Sequence, residues 1–297
     1  MPGLKSVLPS SVELHDSRTG VPRIRTRSLS DAFVTLGVLH AWDRGLQVSL
    51  AHLAATGSIC KYLGGRRRLL QMDRTARALA FSRADPSDQE AHGAHDELTG
   101  AYLDGFRRVT ARRRRSVAQR LLGVPLPDWS VPAMGGLVRF ISYSLSHTQG
   151  RQEMAILKCI AAGDRYLEAW RRLLPEAFDG FDGSMLDGLV INDPPYTVLH
   201  PDGGLDLPGG GHVQMDDTGV PASPASNNWA VVPERTASGG AILCSDPHLA
   251  VNRLPNFWYQ AEIITPDLYL MGFSVPGTPA FIGGWNGSLA WGVTHAA

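Results

Sequence analysis

Lysine, net charge and long hydrophobic runs are all scarce in this chain of 297 residues. Its only lysines are Lys5, Lys61 and Lys158, so arginine supplies nearly all of the basic charge. Lys plus Arg (28) equals Asp plus Glu (28), and a balanced chain has no overall field to attract nucleic acid or an anionic membrane. No uncharged apolar stretch reaches the roughly 18 residues that a membrane-spanning helix needs. We therefore expect neither a nucleic-acid partner nor a membrane span.

Cysteine is also rare, and the start of the chain lacks the pattern of a secretory signal. Cys60, Cys159 and Cys244 are odd in number and far apart, which fits neither a disulfide framework nor a zinc site. We expect them to be reduced and mostly buried. Residues 1–11 have no continuous apolar core, which favours a cytoplasmic protein. Hydrophobic residues at 43%, with seven tryptophans, are enough for a globular core.

Several familiar catalytic and binding motifs are missing as well. The chain has no GxSxG, HExxH, GxxxxGK[ST] or CxxC, so nothing supports an α/β-hydrolase, a zincin, a P-loop protein or a zinc ribbon. His92 and His95 stand near two acidic residues, but no second ligand pair accompanies them, and solvated surface is the better interpretation. Two arginine runs are predicted to form a solvated face or intramolecular ion pairs, at 66–68 and 112–115.

The distribution of charge divides the chain into three parts. Residues 1–173 are arginine-rich and mainly helical in pattern. Residues 174–225 are rich in Asp, Gly and Pro, and no Lys or Arg occurs between Arg172 and Arg235, which is typical of a mobile acidic connector. Residues 226–297 contain short runs of β-branched and aromatic residues separated by Gly and Pro, which predicts a β-rich unit.

Hydrophobic spacing predicts the individual elements. A turn leads into a short strand at residues 21–24, and Ser30 with Asp31 is predicted to cap a long helix that ends near Gly57. Further helices are predicted at 88–120, 135–148 and 151–173. Six strands are predicted after the connector, and they need a partner layer to cover their apolar faces: 229–232, 241–244, 257–264, 268–273, 280–282 and 289–293. Burial is the expected reason for the tryptophans in these strands, Trp229, Trp258, Trp285 and Trp291.

Ser226 stands where the connector meets the first β run. Cleavage of the chain before this residue would put a hydroxyl and a free α-amine on the same residue. An α-amine has a pKa of about 8, so part of it is neutral at physiological pH and can accept the hydroxyl proton, directly or through a water. Nucleophile and base would then need no distant His or Asp. Without further support, Ser226 could equally be an ordinary strand-start residue after a linker.

Two sets of motifs flank the connector and resemble the penicillin acylase family in order and in gaps. The first part of that family's α-subunit is similar to Gly20–Ile24 and Gly37–Arg44, with Gln47 one helical turn later. The start of its β-subunit is similar to a longer series: Ser226–Trp229, Arg235–Gly239, Asp246–Leu249, Trp258–Tyr259, Gly272–Gly277, Gly284–Gly287 and Ala290–Thr294. The resemblance spans most of the chain, and two independent motif sets make it specific.

The resemblance implies an N-terminal nucleophile hydrolase of the α+β class, made as a precursor of α-subunit, spacer and β-subunit and folded as an αββα sandwich. Autocatalytic cleavage between Ala225 and Ser226 would free Ser226 as nucleophile and as α-amine base, and the connector would contain the spacer. His248 matches a position that hydrogen-bonds around the serine, although by itself it would be an unremarkable core histidine. His295 matches a backbone oxyanion donor just after the Trp-Gly-x-Thr motif, with Ala296 within alignment error.

The implied activity is that of an acylase, which cleaves the amide bond of an acylated small molecule through an acyl-enzyme. Substrates in antibiotic metabolism and signalling stay open: β-lactam side-chain amides, N-acyl-homoserine lactones or lipopeptide acyl chains. Cleavage would leave a heterodimer of α and β subunits. No cofactor is required. Some members bind a structural calcium through a helix glutamate, for which Glu153 is a loose candidate, although an ordinary solvated helix glutamate is the better interpretation of this residue.

The family pattern continues well beyond the Trp-Gly-x-Thr motif, and the oxyanion-hole asparagine with most of the sandwich belongs to that part. We therefore expect an incomplete sandwich and a chain that is a fragment, a truncated gene, or one half of a split acylase whose remainder is a separate polypeptide. The alternative is a non-catalytic remnant. A third hypothesis, an arginine-mediated nucleic-acid or phospholipid binder, would show a steep salt dependence of binding.

Overall fold

The protein is described here by a computed structural model, which covers residues 3–16, 19–83, 94–112, 115–144, 205–207, 211–213, 225–248 and 257–294. The chain divides into two units. The first unit joins Met1–Ser142 with Ala225–Ala296, and the second comprises Tyr143–Pro224 with Ala297. The predicted division at residues 173 and 225 stays a prediction.

The long helix predicted after residue 30 is present as α1, Leu29–Ala55. Its cap lies two residues earlier than predicted, because the Ser28 side chain accepts a hydrogen bond from the Asp31 backbone N–H at 3.2 Å. The helix ends where Thr56 caps it and Gly57 adopts a positive φ of 61°. The predicted stop near Gly57 is therefore confirmed.

The remaining helices differ more from prediction. They are α2 Cys60–Leu63, α3 Arg67–Leu79, α4 Ala94–Ala111, α5 Val117–Leu121 and α6 over residues 131–144. The single helix predicted at 88–120 is wrong, because Ser116 starts a new helix there through a capping box with Gln119. The helix predicted at 135–148 overlaps α6, the one predicted at 151–173 lies outside the described residues, and α2 and α3 were not predicted.

The strands in chain order are β1 Glu13–Asp16, β2 Pro22–Arg25, β3 Leu205–Leu207, β4 Gly211–Val213, β5 Ala225–Val231, β6 Ile242–His248, β7 Tyr259–Ile264, β8 Tyr269–Ser274, β9 Phe281–Trp285 and β10 Ala290–Trp291. All six strands predicted after the connector are present, and the short strand predicted at 21–24 is β2. β1 was not predicted. In the second unit, β3 pairs with β4 in antiparallel fashion.

The main sheet of the first unit has six strands in the order β1-β2-β7-β8-β9-β10. Only the β2–β7 pair is parallel, with Ile24 opposite Ile263. β5 and β6 form a separate antiparallel pair, called here the serine hairpin. The sheet thus draws strands from both sides of the connector, which supplies part of the partner structure that the six C-terminal strands require.

The core lies where α1 and α4 cover one face of this sheet. Leu36, Val38, Phe106 and Ile263 are all fully buried there. The two helices approach through glycine: a Cβ on Gly105 would lie 1.9 Å from the Val34 carbonyl oxygen, far inside van der Waals contact. Burial of these side chains is the main favourable contribution to folding of the first unit.

Other residues are more exposed than the sequence suggests. Trp229 is 52% and Trp285 is 42% exposed, so the expectation of burial is wrong for these two. Trp258 and Trp291 are half-buried, and Trp291 packs against the core. Cys60 and Cys244 are free thiols and only half-buried; Cys159 lies outside the described residues. None of the helices in the described part of the chain is long and apolar enough to cross a membrane.

Candidate active site

Ser226 is the second residue of β5 and lies in the serine hairpin. The sequence places it at the start of a β run, in agreement with this position. In the antiparallel register of β5 and β6, Ala225 is opposite His248 and Ser226 is opposite Pro247. The Ala225–Ser226 peptide bond therefore runs beside the Pro247–His248 backbone. This register brings together two of the predicted site positions, while the side chain of His248 lies outside the described part of the structure.

The hydroxyl of Thr294 contacts Ser226 at two points. Its Oγ1 lies 2.9 Å from Ser226 Oγ and donates to the Ser226 carbonyl oxygen at 2.9 Å. A hydroxyl has a single proton to donate, so Thr294 uses its proton on the carbonyl and Ser226 Oγ–H donates to Thr294 Oγ1. The half-buried Ser226 hydroxyl is thereby oriented by a neighbour that is distant in sequence.

Gly292 brings the chain close enough for this contact. A Cβ at Gly292 would lie 2.6 Å from both Cβ and Oγ of Ser245 and 3.2 Å from Asn228 Nδ2. Only glycine permits this approach, because real Cβ contacts are longer. Trp291, the residue before Gly292, is held in place because its indole Nε1–H donates to the Phe281 carbonyl oxygen at 3.1 Å. The segment after β10 is thus held against the serine hairpin.

Two buried polar atoms lie under this segment. Asn228 and Ser245 are opposite each other in the β5–β6 register, and among the described residues neither Asn228 Oδ1 nor Ser245 Oγ has a hydrogen-bond partner. An unsatisfied buried polar atom costs about 1–3 kcal/mol, and such costs are more usual at functional sites than in ordinary packing.

Three aromatic side chains pack together where the chain enters β7 and along β8. The Trp258 ring lies 4.7 Å from Phe257 and 4.7 Å from Phe273, measured between ring centroids. These rings pack on one another.

A second serine, Ser274 of β8, lies beside a histidine and has the outward form of a nucleophile–base pair. His40 Nε2 is 3.1 Å from Ser274 Oγ, but the Ser274 hydroxyl donates to the Tyr259 carbonyl at 3.2 Å. His40 Nε2–H must therefore donate to Ser274, and His40 Nδ1 accepts from the Tyr102 hydroxyl at 2.9 Å. With the proton on the nitrogen that faces the serine, His40 cannot act as its base.

The electrostatics of this pair agree with a structural role. Burial, with a smaller contribution from the Arg44 charge, lowers the pKa of His40 to about 3, so the imidazole is neutral at physiological pH. Burial raises the pKa of the Tyr102 phenol, whose oxygen also accepts the Gly277 backbone N–H at 3.1 Å. Ser274 and His40 are both 0% exposed, which leaves no access for a substrate. The network joins α1, α4 and β8.

A cavity of about 600 Å³ lies between the N-terminal segment, β1, β2 and α1, with Asp43 and Tyr259 in its wall. The Tyr259 hydroxyl donates to Asp43 Oδ2 at 2.6 Å. Neither Ser226 nor Thr294 lines this cavity, so it does not belong to the candidate active site.

The other predicted site residues lie outside the described part of the chain. These are Glu153, His295 and Ala296, although Thr294, the residue before His295, contacts Ser226 directly. Within the described residues no group of three or more His, Cys, Asp or Glu side chains could hold a metal ion. Because Glu153 lies outside the described residues, the structural calcium site that the resemblance suggested stays a prediction.

Comparison with known proteins identifies the family. The family model for penicillin amidase matches residues 11–297, so the chain belongs to the penicillin amidase family. Together with the helices and sheets described above, this membership confirms the predicted resemblance and the α+β fold class. The motifs on both sides of the connector lie inside the matched range.

Among curated proteins, acyl-homoserine lactone acylase QuiP of Pseudomonas aeruginosa is 26% identical over 97% of this chain and 33% of its own length. Penicillin acylase 2 proenzyme of Pseudomonas sp. strain SE83 is 29% identical over 97% of this chain and 37% of its own length. The chain thus spans about a third of the length of these relatives. Thermostable penicillin G acylase from Alcaligenes faecalis is a structural neighbour, with 18% identity, a TM-score of 0.39, and coverage of 64% of this chain and 97% of that chain.

Thr294 is the residue of this site whose role the sequence did not reveal. It stands in the Trp-Gly-x-Thr motif that carried part of the resemblance. The available signal was a hydroxyl next to the predicted oxyanion donor, but its contact with Ser226 spans 68 positions and depends on the tertiary structure.

Proposed function

We propose that the chain is the N-terminal portion of an acylase whose nucleophile is Ser226, freed by autoproteolysis at Ala225–Ser226. The observation that carries this proposal is the placement of the Ser226 hydroxyl at the start of the serine hairpin, 2.9 Å from Thr294 Oγ1. Family membership and the acylase names of the relatives support an amide substrate with an acyl group. Those names favour an N-acyl-homoserine lactone or a β-lactam side-chain amide over a lipopeptide.

In the cleavage step, Ser226 Oγ attacks the carbonyl carbon of Ala225. The Oγ–C bond forms, the hydroxyl proton goes to the Ser226 nitrogen, and the C–N bond breaks to leave an ester between Ala225 and Ser226 Oγ. Water then hydrolyses the ester. The products are the Ala225 carboxylate and a Ser226 with a free hydroxyl and a free α-amine.

In the proposed turnover, the same hydroxyl attacks the substrate amide while the α-amine accepts its proton and passes it to the leaving amine. Water then attacks the acyl-enzyme and gives a proton to the α-amine. The α-amine returns a proton to Ser226 Oγ as the acid is released. The backbone N–H of His295, or of Ala296, would stabilise the oxyanion, and His248 would hydrogen-bond around the serine and its amine. These steps require no cofactor.

The contacts across the connector would hold the two cleaved pieces together as an α–β heterodimer. β2 pairs with β7, Arg23 forms an ion pair with Glu262, and Trp129 Nε1–H donates to the Gly277 carbonyl at 2.8 Å. Each contact joins a residue before the connector to one after it, so none is lost when the Ala225–Ser226 bond breaks.

A second candidate is one half of a split acylase, or a non-catalytic remnant, that needs a separate chain. The observation that favours it is the exposure of large apolar side chains on and near the serine hairpin and β9–β10: Trp229, Val232, Ile242, Trp285, Leu289 and Val293. Large apolar side chains that stay exposed are candidates for burial against a second chain.

The testing experiment is the intact mass of the purified chain under denaturing conditions, beside the Ser226→Ala variant. We expect two fragments in the parent chain, produced by cleavage between Ala225 and Ser226, and one uncut mass in the variant. A single uncut mass in both would contradict self-processing by this chain and favour the second candidate. Cleavage that persists at this bond in Ser226→Ala would show that a contaminating protease, and not Ser226, cuts the connector.

A further inference from the structure

Resting on the proposed role of Ser226, we infer that Thr294 is a positioning residue that fixes the rotamer of the nucleophile for self-cleavage and for turnover. A serine side chain has three staggered rotamers, and only one points its oxygen at a given carbonyl. Thr294 Oγ1 contacts both Oγ and the carbonyl oxygen of Ser226, each at 2.9 Å. Two contacts on one residue fix the side-chain torsion relative to the backbone.

The proton arrangement makes this contact useful to a nucleophile. While Thr294 donates to the Ser226 carbonyl, it accepts from the neutral Ser226 hydroxyl. In this arrangement the contact with Thr294 uses the Ser226 hydroxyl proton and not the lone pairs of Ser226 Oγ, which are the electrons that attack a carbonyl carbon. Thr294 is a neutral hydroxyl and no base, so it positions Ser226 and leaves proton transfer to another group.

Gly292 keeps Thr294 in contact with Ser226. The segment 292–294 crosses Ser245 and Asn228 so closely that a Cβ at Gly292 would lie 2.6 Å from Ser245 Oγ. A side chain there would push the segment off the hairpin and carry Thr294 away from Ser226. Displacement of a reacting group by about 1 Å can cost about 100-fold in rate.

The alternative is a purely structural role, in which Thr294 only holds the end of β10 against β5; a residue with that role is called here a staple. The two roles differ in what the hydroxyl does. A staple tolerates any side chain that keeps the segment folded, whereas a positioning residue requires an oxygen at this place and is rescued by serine but not by valine of the same shape.

The first measurement follows cleavage at Ala225–Ser226 by intact mass in the full chain and in Thr294→Val, Thr294→Ser and Gly292→Ala. We expect a loss of about 100-fold in cleavage rate for T294V and G292A, and a rate within about threefold of the parent for T294S. Thr236→Val is the matched control, because Thr236 Oγ1, like Thr294 Oγ1, contacts two oxygens; these are the carbonyl oxygens of Pro233 and Gly240, at the far end of the same hairpin. Its rate should be unchanged.

The second measurement does not depend on cleavage. In the Ser226→Cys background, the pH dependence of iodoacetamide alkylation at position 226 is followed by peptide mass, with and without T294V. The Thr294 hydroxyl can turn to donate to the thiolate, which favours the charged form, so its loss should raise the alkylation midpoint by about one pH unit. T294S should restore the midpoint, and T236V should leave it unchanged.

The outcomes separate this inference from the proposed function. If no variant and not even the parent chain cleaves, self-processing by this chain fails, and the alkylation midpoint alone decides the role of Thr294. An unchanged midpoint in T294V, or cleavage by T294V at the rate of T294S, overturns the inference. If T294V melts well below the parent, Thr294→Ala replaces it in both measurements, since the smaller side chain removes the hydroxyl without introducing a clash.

Discussion

Ser274 and Ser226 have opposite surroundings in the same unit of the molecule. Ser274 is fully buried beside His40, in a network whose donors and acceptors are all paired. Ser226 is half-buried on a two-stranded hairpin and contacts the Thr294 hydroxyl. The serine beside an imidazole is therefore the inert one, and the serine beside a neutral hydroxyl is the candidate nucleophile. Access and proton direction distinguish them, whereas the presence of a histidine does not.

The same contrast holds for the packing around the two serines. Around Ser274, α1 and α4 press against the sheet, and Ile24, Ala261 and Ile263 are completely buried. On the serine hairpin, Trp229, Val232 and Ile242 are each about half exposed. Stability of the unit is thus concentrated in the helix–sheet layer, while the proposed chemistry belongs to a lightly packed pair of strands, as is common for functional regions.

The largest effect is expected where the helix–sheet layer is tightest. Gly105→Ala places a methyl group 1.9 Å from the Val34 carbonyl oxygen, so α1 and α4 must separate, at a cost of about 3 kcal/mol or more. Urea unfolding measures the change. Gly100→Ala in the same helix is the control, because nothing lies within 4 Å of its added Cβ; it should stabilise by about 0.5–1 kcal/mol. Equal effects at the two glycines would contradict the close approach.

One substitution made in both regions tests the contrast directly. Ile263→Thr buries a hydroxyl in the fully buried layer and should lower the free energy of unfolding by about 2–3 kcal/mol. Ile242→Thr on the serine hairpin, where the side chain is 46% exposed, should cost less than about 0.5 kcal/mol. Paired urea titrations decide the matter, and similar losses at both positions would mean that the hairpin is packed as firmly as the core.

A smaller effect is expected from pH. His40 has a pKa of about 3 in the folded protein and an ordinary value of 6.5 when unfolded. Between these values only the unfolded chain binds the proton, so stability falls as pH is lowered through this window, by about 2 kcal/mol from pH 7 to pH 5.

The matched variant for this prediction is His40→Gln, which keeps one donor and one acceptor but does not titrate. Urea unfolding at pH 7 and pH 5 should show about 2 kcal/mol less pH dependence in the variant than in the parent. Burial also lowers the pKa of His52, but His52 is present in both proteins and cancels in the difference. An identical pH dependence would mean that folding leaves the pKa of His40 unshifted, and would contradict the prediction.

Much of the fold could be predicted from local sequence. The six strands after the connector and the helix from residue 29 to 55 follow from hydrophobic spacing and turn residues, which act over a few positions. The break between α4 and α5 was missed because the capping box at Ser116 and Gln119 lies inside an otherwise helical stretch. β1 was missed because it is short and its residues, Glu13–Asp16, are mostly polar.

The sequence by itself determined the family and the position of Ser226 at the start of a strand, since motif order and β propensity are properties of the linear sequence. Only the tertiary structure decided that Thr294 contacts Ser226, that β2 pairs with β7, and that His40 is hydrogen-bonded to Ser274. These contacts join residues 68 to 239 positions apart in the chain. Their partners are chosen by packing of helices against the sheet and by the need to pair every buried polar group, and neither is written in local sequence.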